Sequence, residues 1–473
     1  MQSLRFTKIV ATMGPSTQSV EDIEALAKRG IAVCRLNFSH GTHEKHAEVI
    51  RNICEVRKKG YPLAIMLDTK GPEVRTGDVL EPFEIAKGET VIFAHKAPKN
   101  AKEKVIAVDY PSFAKDVKHA RCIFVDNGVL EFEVIKITGD IVFAKAKNEG
   151  QIGSRRHINL PGANVSLPPF TARDWSDIRF GIENGVDFIA NSFVRKEEDI
   201  AKLRAFLVKH GSTAEIIAKI ETPQAVEDID RIIASSDGIM VARGDLGAEV
   251  PFEDVPSIEE DIVRKCRLAG KPVIVATHML ESMILSPIPT RAEVTDVAFA
   301  SFLQADSTML SGETASGRHP KKSVEVMDLV LRKNEKKSLD SSSLLSEIVR
   351  VSASEPHRMQ AYAACVLADS MKADALLVMS RSGRTARAVS ACRPSVPIHA
   401  FTETEQAQRR MLLLWGVTPH IRILSDDPNK TVQAAIDLMQ KEKILKKGQR
   451  VVVVSDIRST KNRIMTIQIR EID

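Results

Sequence analysis

The sequence predicts an α/β protein: a (β/α)8 TIM barrel, interrupted once by a small β domain and followed by a separate α/β domain. Three observations carry this reading. Eight short β-branched runs recur between residues 8 and 312, most followed by an amphipathic stretch such as SVEDIEALAKRG, the alternation of βαβ units. Between the third and fourth runs the pattern changes to close-set strands and hairpin turns. A last set of strands alternates with helices after a Ser-rich stretch. The 473 residues are too many for one core and suit about three domains.

In chain order the barrel runs are KIVATM (8–13), AVCRLNFS (32–39), LAIMLDT (63–69), DFIANSF (187–193), IIAKIE (216–221), GIMVAR (238–243), PVIVAT (272–277) and STMLSG (307–312). The barrel is assigned to 1–69 and 168–335, and the insertion to 70–167. Inside the insertion, GETVIFA and ARCIFVDNGVLEFEVIKITGDIVFAKA carry the hairpin signals DNG and TGD. The third domain, 336–473, enters through SLDSSSLLS and carries DALLVMS, VPIHAFT, HIRILS and QRVVVVSD as strands.

Composition narrows the class of function. With 43% hydrophobic and 27% charged residues the chain reads as a soluble globular protein. A net charge of +5 suits anionic small molecules. Lys and Arg are dispersed and aromatics are only 5%, which argues against nucleic acid. No apolar run approaches the ~20 residues of a membrane span. The start, MQSLRFTKIV, enters a strand at once and reads as lacking a signal peptide. Six scattered cysteines without C-x-x-C read as reduced thiols of a cytoplasmic protein.

Active sites of such barrels lie at the C-terminal ends of the strands, and here those ends are polar. The second run ends with Arg35, Asn37 and Ser39, the third with Asp68 and Thr69, followed by Lys70, Glu73 and Arg75. The fifth ends with Lys219 and Glu221, the sixth with Arg243, Gly244 and Asp245, the seventh with Thr277, and the eighth with Ser311 and Glu313. Each piece has a bland reading. Lys219–Glu221 suits a structural ion pair, and Ser39 or Thr42 suits a helix N-cap. HGTHEKH lacks H-E-x-x-H spacing and reads better as a helix start than as metal ligands. Neither G-x-x-x-x-G-K-[ST] nor G-x-G-x-x-G occurs. What the bland readings leave unexplained is the joint placement.

Chemistry sorts the set. Glu221 and Asp245 are carboxylates on neighbouring strands, suited to Mg2+ together with substrate oxygens. Arg35 and Arg75 are forks for phosphate. Lys219 is a point charge able to stabilise a transferring phosphoryl group. N–H groups around Gly244 suit a carboxylate or phosphate. Asn37, Ser39, Asp68 and Thr69 offer oxygens with one full negative charge, better matched to a monovalent cation.

These residues resemble the pyruvate kinase family. The match spans nearly the whole chain through KIVATMGPST, CRLNFSHG, LDTKGPEVRTG, INLPG, AKIET, ARGDLG, ATHMLESM, PTRAEVTDVA and MLSGETASG, in the family's order. The resemblance implies a (β/α)8 barrel, an inserted small β-barrel lid and a C-terminal α/β regulatory domain. It implies phosphoryl transfer from phosphoenolpyruvate to ADP, with Mg2+ (or Mn2+) and K+ as cofactors. Lys219 then stabilises the transferring group, Glu221 and Asp245 bind Mg2+, and Arg35 meets the substrate phosphate. Gly244, Asp245 and Thr277 hold substrate, and Asn37, Ser39, Asp68 and Thr69 bind K+. Asn37, Phe38, Ser39, His40, Arg75 and Arg156 are where ATP is contacted. Thr277, relayed through Ser311 and Glu313, is the candidate route for protonating the enolate.

SRSGRTARAVSACRP resembles the family's effector-phosphate loop, with Ser380, Ser382, Gly383 and Thr385 as effector contacts for a phosphorylated ligand. A homotetramer is the assembly the resemblance implies. Departures are His278 where the family usually has Gln, Phe299 where it has Asn, Arg156 where it has Lys, and His157 where it has Gly. LQADST replaces its D-G-x-D run, and the chain's end lacks the usual glycine-rich turn. Two other readings compete: a lyase or aldolase on a related barrel, disfavoured by the inserted lid and Arg75, and a non-catalytic sugar-phosphate sensor, disfavoured by intact Lys219, Glu221 and Asp245.

Overall fold

The computed structural model describes residues 5–473 apart from 97, 99–100, 121, 127, 164, 339–346, 351–353, 426 and 459–462. Eight parallel strands close into a barrel in the spatial order Lys8–Thr12, Ser307–Leu310, Val273–Ala276, Gly238–Ala242, Glu215–Ile220, Phe188–Asn191, Ala64–Asp68 and Val33–Asn37. Each overlaps one of the eight predicted runs. The strands are apolar on both faces because both are covered. Val33, Ala64, Met66, Phe188, Ile217, Met240 and Ile274 fill the interior. Their sequence neighbours Cys34, Ile65, Ile189, Ile216, Ile239 and Val275 pack outward into the larger cluster shared with the helices.

This period of two decides what reaches the mouth. With Val33 inside, Arg35 and Asn37 also point in; with Ala64 and Met66 inside, so does Asp68. Ile217 inside puts Lys219 and then Glu221 on the same side. Each strand thus begins as core and ends as chemistry. Thr42, one of the two candidate caps, takes the N-cap position of helix His43–Lys58 without a side-chain capping bond.

Between Asp68 and helix Ala172–Glu183 the chain builds a six-stranded sheet, in the order Ile158–Asn159, Ile123–Val125, Leu130–Thr138, Ile141–Ala146, Thr90–Ala94 and Lys104–Ala107. A two-stranded sheet, Gly150–Ile152 with Phe83–Ile85, completes it. Both hairpin signals turn where expected: Asp126 and Gly128 have φ of 57° and 89°, and Gly139 has φ of 60°. These strands enclose their own core around Phe93, Phe113 and Phe132.

The C-terminal sheet runs Val417–Ile421, Ile398–Thr402, Ala375–Met379, Arg450–Arg458 and Arg463–Glu471, with only the last strand antiparallel. Two features differ from the sequence reading. HIRILS was expected as a strand over 420–425, but the strand starts at Val417 and includes Pro419. It lies on the sheet edge, where a missing N–H costs no ladder bond. Strand Arg463–Glu471 was not expected: its apolar residues alternate with Thr466, Gln468 and Arg470, and Met465 and Ile469 are exposed. The Ser-rich linker beyond Ser338, and residues 459–462 in the C-terminal stretch read as lacking the usual glycine-rich turn, fall outside the described residues.

The N-terminal end of the barrel is closed by this domain. Leu412 and Leu413 complete the interior cluster, and the Ser307 hydroxyl donates to the Leu413 carbonyl at 3.3 Å. Asp306 accepts from Arg393 Nη2 at 2.7 Å, Val273 N at 3.1 Å and Trp415 N at 3.1 Å.

Candidate active site

At the opposite end, the polar strand ends converge. Lys219 Nζ lies 3.1 Å from Asp68 Oδ1 and 2.8 Å from Glu221 Oε1, and donates to Ser192 Oγ at 2.7 Å. Arg35 Nε donates to Asp68 Oδ2 at 2.6 Å and its Nη1 to Thr12 Oγ1 at 2.9 Å. Asp68 therefore bridges both cations from a position only 1% exposed. Burial alone would raise its carboxyl, but Arg35 and Lys219 outweigh that and hold it below the ordinary carboxylate value. Burial would likewise lower the Lys219 ammonium, but Asp68 and Glu221 win and raise it, so the charge is fixed at neutral pH.

Glu221 behaves oppositely. Burial pushes its carboxyl up to about 7 against the pull of Lys219, and the Asp245 charge adds to the rise. Its Oε2 accepts from Phe193 N at 2.6 Å, and its Oε1 meets the Lys219 ammonium at 2.8 Å. Asp245, on the next strand end, makes no hydrogen bond or ion pair among the described residues. Glu249 lies nearby, raised to about 7 by burial, with the Asn159 amide donating to it at 2.7 Å and Asp245 adding like charge. Glu221, with its carboxyl raised, beside the further carboxylates Asp245 and Glu249 gathers like charge and hard oxygens of the kind that suit Mg2+.

Gly244 and Thr277 do meet, but differently from the sequence reading: the Gly244 N–H is taken by Thr277 Oγ1 at 2.7 Å and is not free for a substrate. Thr277 and His278 hold φ of 68° and 55°, a left-handed conformation costly outside glycine and concentrated at functional sites.

Several expected placements are corrected. The Thr277–Ser311–Glu313 relay is not joined: Thr277 Oγ1 donates to the Ala276 carbonyl, Ser311 Oγ is buried without a partner, and Glu313 accepts from Leu280 N and Ser311 N. Arg243 is paired with Asp296 and Glu259 and donates to the Thr277 carbonyl at 2.6 Å, so its charge is already engaged. The Phe38 ring is buried and stacked on His46 with centroids 4.0 Å apart, so only its backbone can meet a nucleotide. Thr69 Oγ1 donates to the Ala190 carbonyl and accepts from Ser192 N. Asn37 Oδ1 accepts from Ser39 N at 3.1 Å, and exposed His40 follows. On the lid side Arg75 pairs with Glu73 and donates to the Arg155 carbonyl at 2.7 Å, while exposed Arg156 lies 3.3 Å from Asp126.

Sequence reasoning missed Ser192 and Thr12. Ser192 accepts from Lys219 and donates to the Thr69 carbonyl at 2.6 Å. Thr12 passes the Arg35 contact on to the Leu310 carbonyl at 2.9 Å.

In the C-terminal domain, Gly383 at φ 85° caps helix Arg384–Ala391. Ser380 Oγ accepts from Thr385 N at 3.2 Å, and both are buried, while Ser382 is exposed at the turn. Arg381 pairs with Glu403 at 3.1 Å.

A fixed lysine charge, an arginine fork and a pair of neighbouring carboxylates at one barrel mouth, beside an inserted β domain, define a phosphoryl-transfer enzyme of the (β/α)8 class. Family models agree at finer grain: the pyruvate kinase barrel domain matches residues 4–324 and the pyruvate kinase alpha/beta domain matches 359–469. The chain belongs to the pyruvate kinase family, whose reaction it carries out: transfer of the phosphoryl group of phosphoenolpyruvate to ADP, giving pyruvate and ATP. It is 42% identical over 456 residues to plastidial pyruvate kinase 3 of Arabidopsis thaliana, covering 96% of this chain and 79% of that one. It is 40% identical to a pyruvate kinase of Dictyostelium discoideum, covering 95% and 91%. A crystal structure of a pyruvate kinase from Cryptosporidium parvum superposes with a TM-score of 0.93 at 35% identity, covering 99% and 96%. No described helix is long and apolar enough to cross a membrane.

Proposed function

We propose that Lys219 is the residue that stabilises the transferring phosphoryl group. The observation that carries this is its position, buried between Asp68 and Glu221 and held by Ser192. An ammonium fixed there needs no reorganisation when charge develops on the transferring group. Arg35, oriented by Thr12 and Asp68, grips the substrate phosphate. Ser192 is a positioning residue for Lys219. Glu221 and Asp245 hold Mg2+ (or Mn2+), which when bound neutralises phosphate oxygens. Thr277, Gly244 and Asp245 shape the substrate pocket, and Thr277, with Ser311 and Glu313, is the route for protonating the enolate.

Asn37, Ser39, Asp68 and Thr69 hold K+, and Asn37, Phe38 (by backbone), Ser39, His40, Arg75 and Arg156 contact the nucleotide. The units are 1–69 with 168–335, 70–167 as the lid, and 336–473 as a regulatory domain binding a phosphorylated effector at Ser380, Ser382, Gly383 and Thr385. The assembly is a homotetramer and the compartment the cytoplasm.

The test is pyruvate formation from phosphoenolpyruvate and ADP, coupled to lactate dehydrogenase, at saturating Mg2+ in KCl and in tetramethylammonium chloride of equal ionic strength. Turnover in KCl and a large loss in the other salt are expected. Equal rates would remove the K+ site, and no turnover in either would remove the assignment of Lys219. Asp68 is already paired with Arg35 and Lys219, so the requirement rests on the oxygens of Asn37, Ser39 and Thr69 rather than on an uncompensated carboxylate.

A further inference from the structure

Two consecutive residues after barrel strand Phe188–Asn191 hold both halves of the charged pair at the mouth. Ser192 Oγ accepts from Lys219 Nζ at 2.7 Å, and Phe193 N donates to Glu221 Oε2 at 2.6 Å. The backbone there is bent: Phe193 has φ of 52°. A left-handed conformation is costly for a side chain of this size and persists only where its surroundings over-determine it.

Those surroundings belong to the two segments that lead into and out of the lid. On the way in, Gly71 runs so close that a Cβ there would stand 2.8 Å from Phe193 Cδ2 and 2.9 Å from Ser192 Cβ. Its φ is 74°, and its N–H donates to Asp174 Oδ1 at 2.9 Å. On the way out, the His157 ring meets the Phe193 ring edge-on, with centroids 5.9 Å apart and planes at 68°, the geometry of a favourable aromatic pair. His157 is fixed within the lid by its bridge to Arg75 and by its carbonyl, which accepts from Asp126 N at 2.9 Å. Its ring therefore travels with the lid. Two residues further on, Asn159 ties the same segment to Glu249. A cavity of about 70 Å³ runs along this seam, with Pro72, Glu73, His157, Phe193, Thr222 and Glu249 in its lining. The two rings thus meet at the edge of a gap, not inside a close-packed core, and can part without breaking one.

We propose that His157 and Phe193 form a latch by which the position of the lid sets the geometry of Lys219 and Glu221. The latch rests on the roles given to those two residues above. Phe193 is a positioning residue for both, and His157 is the lid residue that holds it in its bent conformation. With the His157 ring in place, Ser192 Oγ and Phe193 N are presented together to the ammonium and the carboxylate. With the lid swung away, Phe193 loses that support, its backbone relaxes, and both contacts slacken at once. Closure of the lid thereby sharpens the charge arrangement needed for phosphoryl transfer as well as covering it.

The contact is ring against ring, and the His157 nitrogens make no hydrogen bond among the described residues. His157 also lies within electrostatic reach of Glu73 and Asp245. The two roles respond oppositely to phenylalanine at 157: a role through charge would be lost, and a role through the ring is kept.

The experiment is a double-mutant cycle on the full-length protein, with His157→Ala, Phe193→Leu and the two combined, and with His157→Phe beside it. Circular dichroism checks the fold of each. Turnover of phosphoenolpyruvate and ADP at saturating Mg2+ is measured together with Mn2+ binding to the protein alone, followed by electron paramagnetic resonance. Each single change should lower kcat roughly two- to tenfold, the worth of one edge-on ring pair, with the KM for ADP little changed. Mn2+ affinity should fall in both, through Glu221. The combined variant should lose no more than either single one, and His157→Phe should restore both kcat and Mn2+ affinity. Losses that multiply in the combined variant would overturn the latch. So would His157→Phe behaving like His157→Ala, or a raised KM for ADP at unchanged kcat, which would reduce His157 to a nucleotide contact. If Phe193→Leu does not fold, His157→Ala against His157→Phe decides the question alone. Glu221→Gln and Lys219→Met are the references. If they leave Mn2+ affinity and turnover unchanged, the roles of Glu221 and Lys219 fail; if they abolish them while the cycle is additive, the latch alone fails.

Discussion

The two ends of the barrel both bury carboxylates, yet they treat them differently. At the closed end Asp306 accepts two backbone N–H groups and Arg393, and Glu335 accepts Phe6 N at 2.9 Å and Thr7 N at 2.7 Å. At the open end Glu221 accepts a single backbone N–H and otherwise faces the Lys219 ammonium, and the Asp245 carboxylate has no hydrogen bond or ion pair among the described residues. A buried carboxylate saturated by backbone donors is a structural clasp; one left short of donors, beside another carboxylate, is waiting for a ligand. Burial alone does not separate structure from function, but the donor inventory does.

The comparison breaks most visibly at Arg393. Arg393→Ala leaves Asp306 buried without its cation and should cost about 3–5 kcal/mol of stability in denaturant unfolding. A loss under about 1 kcal/mol would mean the closed end is not held by this pair. Lys219→Met is its counterpart at the open end. Turnover should fall ~10²–10³-fold or more with the fold intact by circular dichroism. A variant with near-normal turnover would remove Lys219 from the mechanism.

A third expectation concerns pH. His399 Nδ1 and His420 Nε2 are 3.0 Å apart beside the closed end. Burial lowers them to about 3 and about 4; His420 and Lys8 add to the shift of His399, and Arg422 to that of His420. The unfolded chain binds these protons near the ordinary histidine value of 6.5, and the folded chain does not until far lower. Their stability contribution is therefore full above about 6.5 and lost as pH falls towards 4, roughly 2 kcal/mol per histidine at pH 5. Replacing both with Leu should flatten unfolding free energy between pH 6.5 and 5; an unchanged slope would reassign the acid sensitivity to other groups. The smallest effect is expected at Thr12. Thr12→Val removes an acceptor from Arg35 Nη1 and should cost about 1 kcal/mol, seen as a several-fold rise in the KM for phosphoenolpyruvate with kcat little changed. A fall in kcat at constant KM would place Thr12 in the chemical step.

Much of this contrast was legible in the sequence. The eight barrel strands are short runs buried on both faces, and the change from apolar to polar at their C-terminal ends marks the mouth directly. Arg35, Asp68, Lys219 and Glu221 follow from counting by two. Partner choice was not legible. Whether Arg243 or Asp245 faces the mouth depends on the turn of helix Arg243–Glu249, and Arg243 finds Asp296, 53 residues away, by packing alone. The three-residue relay failed because residues at adjacent strand ends need not share a hydrogen bond. Ser192 was hidden because a lone serine after a strand is indistinguishable from a turn residue until Lys219 is placed beside it. Strand Arg463–Glu471 was hidden by its exposed, alternating edge.

Leu412 and Leu413 fill the floor of a barrel whose first strand begins at Lys8. The innermost layer of the oldest part of the chain is thus supplied by residues made some four hundred positions later. During synthesis the first strands must wait, with that layer open, until the C-terminal segment has left the ribosome. Contacts so distant in sequence are slow to form, so for this chain the order of translation, as much as the final packing, sets when the barrel becomes complete.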